Sequence, residues 1–123
     1  MSATYSIDRE HRLVRTHVHG AITTPDLQDM YARMVADPGF SSTYNQLADW
    51  REVTELHVIT DAVREAARTH PFDAGTRRAI VVGIDVVYGV ARIFAAYAED
   101  VGQVVRVFRD MADAEQWVGL VAG

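Results

Sequence analysis

The chain has 123 residues, 49% of them hydrophobic and 24% charged, which suits one folded domain spanning residues 1–123 and argues against disorder. With 17 acidic residues against 12 basic ones, all arginines and all scattered, the net charge is −5 and no nucleic-acid partner is expected. The absence of cysteine removes disulfides, thiolate nucleophiles and thiolate metal sites, and agrees with a cytoplasmic setting.

The polar N-terminus lacks a signal-peptide layout. The longest apolar run, from Ala79 to Ala91, is broken by Asp85 and is too short for membrane insertion. Thr4 to Asp8 reads as a strand, Arg9 and Glu10 as a turn, and Arg12 to His19 as a second strand of an antiparallel hairpin. In the second strand Val14, Thr16 and Val18 alternate with Leu13, Arg15, His17 and His19, so one face is buried and the other wetter.

Gly20 is expected to end that strand. Thr24 then caps a helix with Pro25 at its first position, and Leu27, Met30, Tyr31, Met34 and Val35 form its apolar stripe. Asp37-Pro38-Gly39 stops this helix. Asn45 to Trp50 reads as a third strand, and Thr54 as the cap of a second helix with Leu56, Ile59, Val63, Ala66 and Ala67 inward, ending before Pro71.

Arg78 to Ile84 is a strand whose continuous apolar run points to burial on both faces. Asp85 is read as the cap of a third helix with Val87, Val90, Ala91, Phe94 and Ala98 inward. Gln103 to Phe108 forms a last strand, and Asp110 caps a final helix packed through Ala114, Trp117, Val118 and Val121. The order β-β-α-β-α-β-α-β-α calls for an N-terminal hairpin and a largely parallel sheet with helices packed on it.

The stretches GAITTPD (20–26), LADWREVT (47–54), AIVVGIDVVYGVAR (79–92) and VFRDMADAEQW (107–117), with their spacing, resemble the SpoIIAA-like branch of the STAS fold. This branch comprises small bacterial proteins related in fold to anti-sigma-factor antagonists, so the resemblance implies an α/β layered fold and a regulatory role. In the antagonists a serine just after the third strand is phosphorylated to control binding of a partner kinase. Asp49 matches the acidic residue that commonly ends that strand. The serine itself is absent, Trp50 and Arg51 stand where small residues are expected, and Thr54 is the nearby hydroxyl that could substitute.

In open α/β sheets, ligands gather at the carboxyl ends of parallel strands. That rule collects Thr23, Thr24, Asp49, Arg51, Thr54, Asp85, Tyr88, Arg109 and Asp110 at one pole. The candidate ligand- or partner-binding set is Thr24, Asp49, Arg51, Thr54, Asp85, Tyr88 and Arg92. Capping alone also accounts for Thr24, Thr54, Asp85 and Asp110.

No catalytic residue, metal or cofactor is assigned. A hydrolase-type enzyme using Asp49 or Asp85 would need shifted carboxyl pKa values that no motif signals. His17 and His19 share a strand face, with His11 near, but lack a third ligand, while His57 and His70 sit near helix ends and read as solvated. The third helix, with Tyr88, Arg92, Phe94, Ala95, Ala96 and Tyr97, is apolar beyond one stripe. It is therefore covered by a second subunit in a homodimer, walls an apolar pocket, or is simply a thick core helix. Phe40 and Tyr44 are candidate lid aromatics. The expected function is a non-catalytic binding or regulatory module that recognises a protein partner or small ligand at the strand-carboxyl pole. A carrier of an apolar or lipid-like molecule beside the third helix is the alternative.

Overall fold

Nine elements follow one another in a computed structural model that describes residues 2–58, 60–68 and 71–120. They are β1 (Ala3–Asp8), β2 (Leu13–Thr23), α1 (Thr24–Ala36), β3 (Asn45–His57), α2 (Thr60–Arg68), β4 (Arg77–Val82), α3 (Asp85–Asp100), β5 (Val104–Phe108) and α4 (Met111–Trp117). The order is the one expected from the sequence. Ile59, His70 and Val121 lie outside the described residues.

The five strands lie side by side in chain order. β1 and β2 are antiparallel, and the pairs β2–β3, β3–β4 and β4–β5 are parallel. Each parallel crossover steps to the next strand in the same direction, so one handedness of crossover puts the intervening helices on one face. Accordingly Leu27 and Met30 of α1 and Val87 and Ala91 of α3 pack with Val18, Ile22, Ala48, Ile80 and Val82 of the sheet. α4 follows the edge strand and covers the opposite face, where Ala114 and Val118 pack on Leu13, Leu47, Ala79 and Val81. Residues 78–82 are buried throughout because both faces of β4 are covered.

β2 alternates as expected. Val14, Thr16 and Val18 are buried, whereas Arg15 and His17 are half-buried and His19 is exposed; Leu13 is buried beneath α4. Gly20 does not end the strand. It takes a positive φ of 72° between two register shifts, and the strand resumes to Thr23.

That continuation accounts for two further departures. β2 offers an edge on which residues 52–57 pair, so β3 runs on to His57 and Thr54 is an exposed strand residue, not a helix cap. Leu56 likewise belongs to β3, packing on the main core cluster, and Ala66 of α2 is exposed while Val63 and Ala67 are buried. The α1 cap is Thr23, one residue before Thr24. Asp26 decides this by returning the bond: the Asp26 N–H donates to Thr23 Oγ1 at 3.3 Å, and the Thr23 N–H donates to Asp26 Oδ2 at 3.0 Å.

Within α1, Met30 and Met34 are buried, but Val35 is 50% exposed, because three-residue and four-residue steps have carried it past the edge of the buried stripe. Asp85 is the first residue of α3 and caps nothing; the cap position is Ile84, which makes no side-chain bond. Asp110 caps α4 as expected, accepting from the N–H groups of Ala112 at 2.8 Å and Asp113 at 3.2 Å. Gly83 closes β4 where the chain passes β3: a Cβ there would lie 2.6 Å from the Arg51 carbonyl oxygen. Among the described residues, no helix is long and apolar enough to cross a membrane.

Candidate functional site: a cavity over the three-helix face

The period of two along the strands puts Gln46, Ala48 and Trp50 of β3 and Arg78 and Ile80 of β4 on the face that carries α1, α2 and α3. α2 packs chiefly against α3 and stands off the sheet. Arg64 ties the two helices, donating to the Tyr97 hydroxyl at 3.3 Å with its guanidinium 5.2 Å from that ring. The space left between sheet and helices is a cavity of about 410 Å³. Its walls come from Leu27 and Tyr31 of α1, Trp50 and Leu56 of β3, Ala62 and Val63 of α2, and Val90, Ala91 and Phe94 of α3. Cavities of roughly 300–1,000 Å³ with mostly apolar walls and a few polar groups are the usual form of small-molecule sites.

One end of this cavity is polar and buried. Arg78 and Gln46 are neighbours in the parallel register of β3 and β4, only 3% and 1% exposed. Arg78 Nε donates to Gln46 Oε1 at 2.9 Å. Gln46 Nε2 in turn donates to Thr16 Oγ1 at 3.2 Å and to the Tyr31 hydroxyl at 3.0 Å. The guanidinium lies between the rings of Phe72, 4.8 Å away, and Phe94, 5.4 Å away. Its Nη1 is buried and has no hydrogen-bond partner. Burial pulls the Arg78 pKa down from the ordinary guanidinium value, and Tyr31 partly opposes that.

The residues singled out in sequence fall in four places. Thr24 alone reaches the cavity. Asp49 and Arg51 form a local fork, with Arg51 Nε on Asp49 Oδ1 at 3.0 Å and Nη2 on Oδ2 at 2.9 Å. The hydrogen bond from Arg51 holds the Asp49 carboxyl below the usual carboxylate range, against a smaller effect of burial. Asp85 and Tyr88 meet Arg109, whose Nη2 donates to Asp85 Oδ1 at 2.7 Å and whose guanidinium lies 4.3 Å from the Tyr88 ring. Arg92 lies 5.8 Å from that same ring. Thr54 is apart from both groups on the exposed arm of β3.

The other sequence candidates resolve as follows. His17 and His19 stack with centroids 5.4 Å apart, and His17 lies 3.6 Å from Glu52. Among the described residues, no three histidine, aspartate or glutamate side chains come together in a form that could hold a metal ion. His57 ends β3 and pairs with Glu55 at 3.0 Å. Phe40 and Tyr44 are not lid residues: they pack around Val14, Met34 and Phe72, because the α1–β3 connection folds back along the sheet rather than over the cavity. The third helix divides its apolar surface, with Val90, Ala91 and Phe94 toward the cavity and Val86 and Ile93 exposed.

Gln46, Trp50 and Arg78 were not among the sequence candidates for a site. A signal was present: an arginine opening a strand that is otherwise wholly apolar, two places from Ile80 on the same face. What the sequence lacked was the register that sets it beside Gln46.

No family model matches the chain, and no curated protein matches it in sequence. Its structure is similar to the crystal structure of an uncharacterised DUF3478-family protein with a SpoIIAA-like fold from Shewanella loihica PV-4. The TM-score is 0.64 at 18% identity, covering 95% of this chain and 94% of that one. The chain has a SpoIIAA-like fold.

Proposed function

We propose that this SpoIIAA-like domain is a non-catalytic binding module that holds a small apolar molecule in the cavity between its sheet and α1, α2 and α3. The observation that carries the reading is the cavity itself: about 410 Å³, walled by Leu27, Trp50, Leu56, Val63, Val90 and Phe94. The cavity opens to solvent past Glu65 and Ala66, so its apolar walls are wetted in the free protein, and an apolar ligand takes that surface out of water. α2 supplies the roof, held through α3 rather than through the sheet, so the roof can give way to a ligand without disturbing strand pairing. The sheet floor is the rigid part, with Ala48 and Ile80 paired in register.

Nile red, a neutral apolar dye, tests this reading directly. Wild-type protein is expected to bind one dye molecule per chain with blue-shifted emission. Ala48 lies on the cavity floor and is 3% exposed, so Ala48→Leu fills part of the void. It should weaken dye binding about tenfold or more while leaving the melting temperature unchanged or higher, since cavity filling stabilises. Undiminished dye binding by a folded Ala48→Leu protein sinks the reading.

A further inference from the structure

We infer that the molecule held in the cavity is an amphiphile with a single anionic head, a carboxylate on an apolar body, whose head is received at the cavity end lined by the Arg78 guanidinium and the Tyr31 hydroxyl. The inference rests on the cavity reading above and specifies the ligand's chemistry.

Four observations carry it. First, Arg78 is 3% exposed, lines the cavity, and has an unpartnered Nη1. Leaving a buried charged donor unmade is costly, so such a group marks a place where a partner is missing. Second, the guanidinium is held before any ligand arrives. Gln46 fixes its Nε edge and the Phe72 and Phe94 rings pack within 4.8 and 5.4 Å of it, so an incoming anion need not order the side chain.

Third, the Tyr31 hydroxyl accepts from Gln46 Nε2, which leaves its own proton free to donate. Tyr31 and Arg78 both line the cavity, so two donors stand at the same end, a match for the two oxygens of one carboxylate. Fourth, the lining holds one acidic residue, Glu65, whose side chain is 62% exposed and lies 3.8 Å from Arg68. No buried carboxylate among the described lining residues competes for the guanidinium. Apart from Thr24 and Gln28, the rest of the wall is apolar, and a cavity of about 410 Å³ suits an acyl chain of medium length.

The test displaces Nile red from the wild-type protein with three ligands of one chain length: decanoate, decan-1-ol and decylammonium. At about pH 7.5 the first is an anion and the last a cation. Chain hydrophobicity alone ranks the neutral alcohol first, because a charged head resists leaving water. The inference expects the reverse order, decanoate displacing dye at concentrations about tenfold or more below decan-1-ol, with decylammonium weakest. Arg78→Met should erase the preference for decanoate while dye binding persists. Should that variant fail to fold, the order of the three ligands on wild-type protein decides the matter by itself. Equal displacement by decanoate and decan-1-ol, or a better alcohol, overturns the anionic head and leaves the cavity reading standing. Failure of Nile red to bind one-to-one, or of all three ligands to displace it, overturns the cavity reading and this inference with it.

Discussion

The protein carries two concentrations of charge, and they differ in what they still lack. At the strand-carboxyl pole, Asp49 is matched by Arg51 and Asp85 by Arg109, all within reach of water. Such exposed pairs contribute about 0–1 kcal/mol each and ask for nothing further. Under α1, α2 and α3, by contrast, Arg78 is buried with a donor unmatched, in a network that already uses Gln46, Thr16 and Tyr31. Caps, acids and arginines cluster at the pole along the chain, which makes it the conspicuous region in sequence. Arg78, by contrast, is a charge taken out of water without a counter-charge.

That contrast can be broken most severely at Gln46. Gln46→Leu leaves Arg78 Nε without its acceptor in the same buried place, and should destabilise the fold by about 3–5 kcal/mol in chemical denaturation. Arg78→Met removes the charge but leaves the neutral Gln46 Oε1 without its donor, so it should cost about 1–3 kcal/mol, less than Gln46→Leu. A Gln46→Leu protein as stable as wild type would show that the network is dispensable and the contrast empty.

A middle-sized effect is expected at Tyr31. Tyr31→Phe removes an acceptor of Gln46 Nε2, while Thr16 Oγ1 remains, so stability should fall by about 1 kcal/mol. The same change should narrow the preference for decanoate over decan-1-ol. A preference left untouched would assign the head group to Arg78 alone.

The smallest effect belongs to the pole. Asp49 has a folded pKa depressed by Arg51, so its contribution is present above the unfolded carboxyl value of about 4 and is lost as pH falls through the lower folded value. Asp49→Asn should remove that acid-side dependence at a cost below about 1 kcal/mol at neutral pH, since the pair is solvent-screened. A loss of several kcal/mol would mean that the pole, and not the cavity, holds the costly electrostatics.

Much of the architecture was legible because it depends on local chemistry and period. The alternation of Val14, Thr16 and Val18, the continuous apolar run of β4, and the Asp110 cap each act within a few residues, and each stands in the fold as read. The departures have two causes, one distant along the chain and one local. Thr54 and Leu56 were assigned to a helix because hydroxyl and apolar spacing permit it, yet β2 resumes beyond Gly20 and offers those residues a strand edge. Thr24 lost the cap to Thr23 because Asp26 stands three residues after Thr23, a pairing visible in the sequence. The candidate site was less legible. Of its polar end, Tyr31 falls on the apolar stripe of α1 and Arg78 at the start of an apolar strand, while Gln46 carries no sequence signal of its own.

The sequence by itself determined the element order, the parallel character of the sheet after the first hairpin, the buried face of β2 and the burial of β4 on both faces. Those follow from turn residues, from periods of two and three to four, and from the limited ways short crossovers can connect strands. Only the tertiary structure decided that β3 and β4 align Gln46 with Arg78, that α2 stands off the sheet, and that the guanidinium is buried with one edge unmatched. Register and helix standoff are set by the packing of residues distant along the chain, and a single arginine carries no mark of whether its partner will be water, protein or ligand.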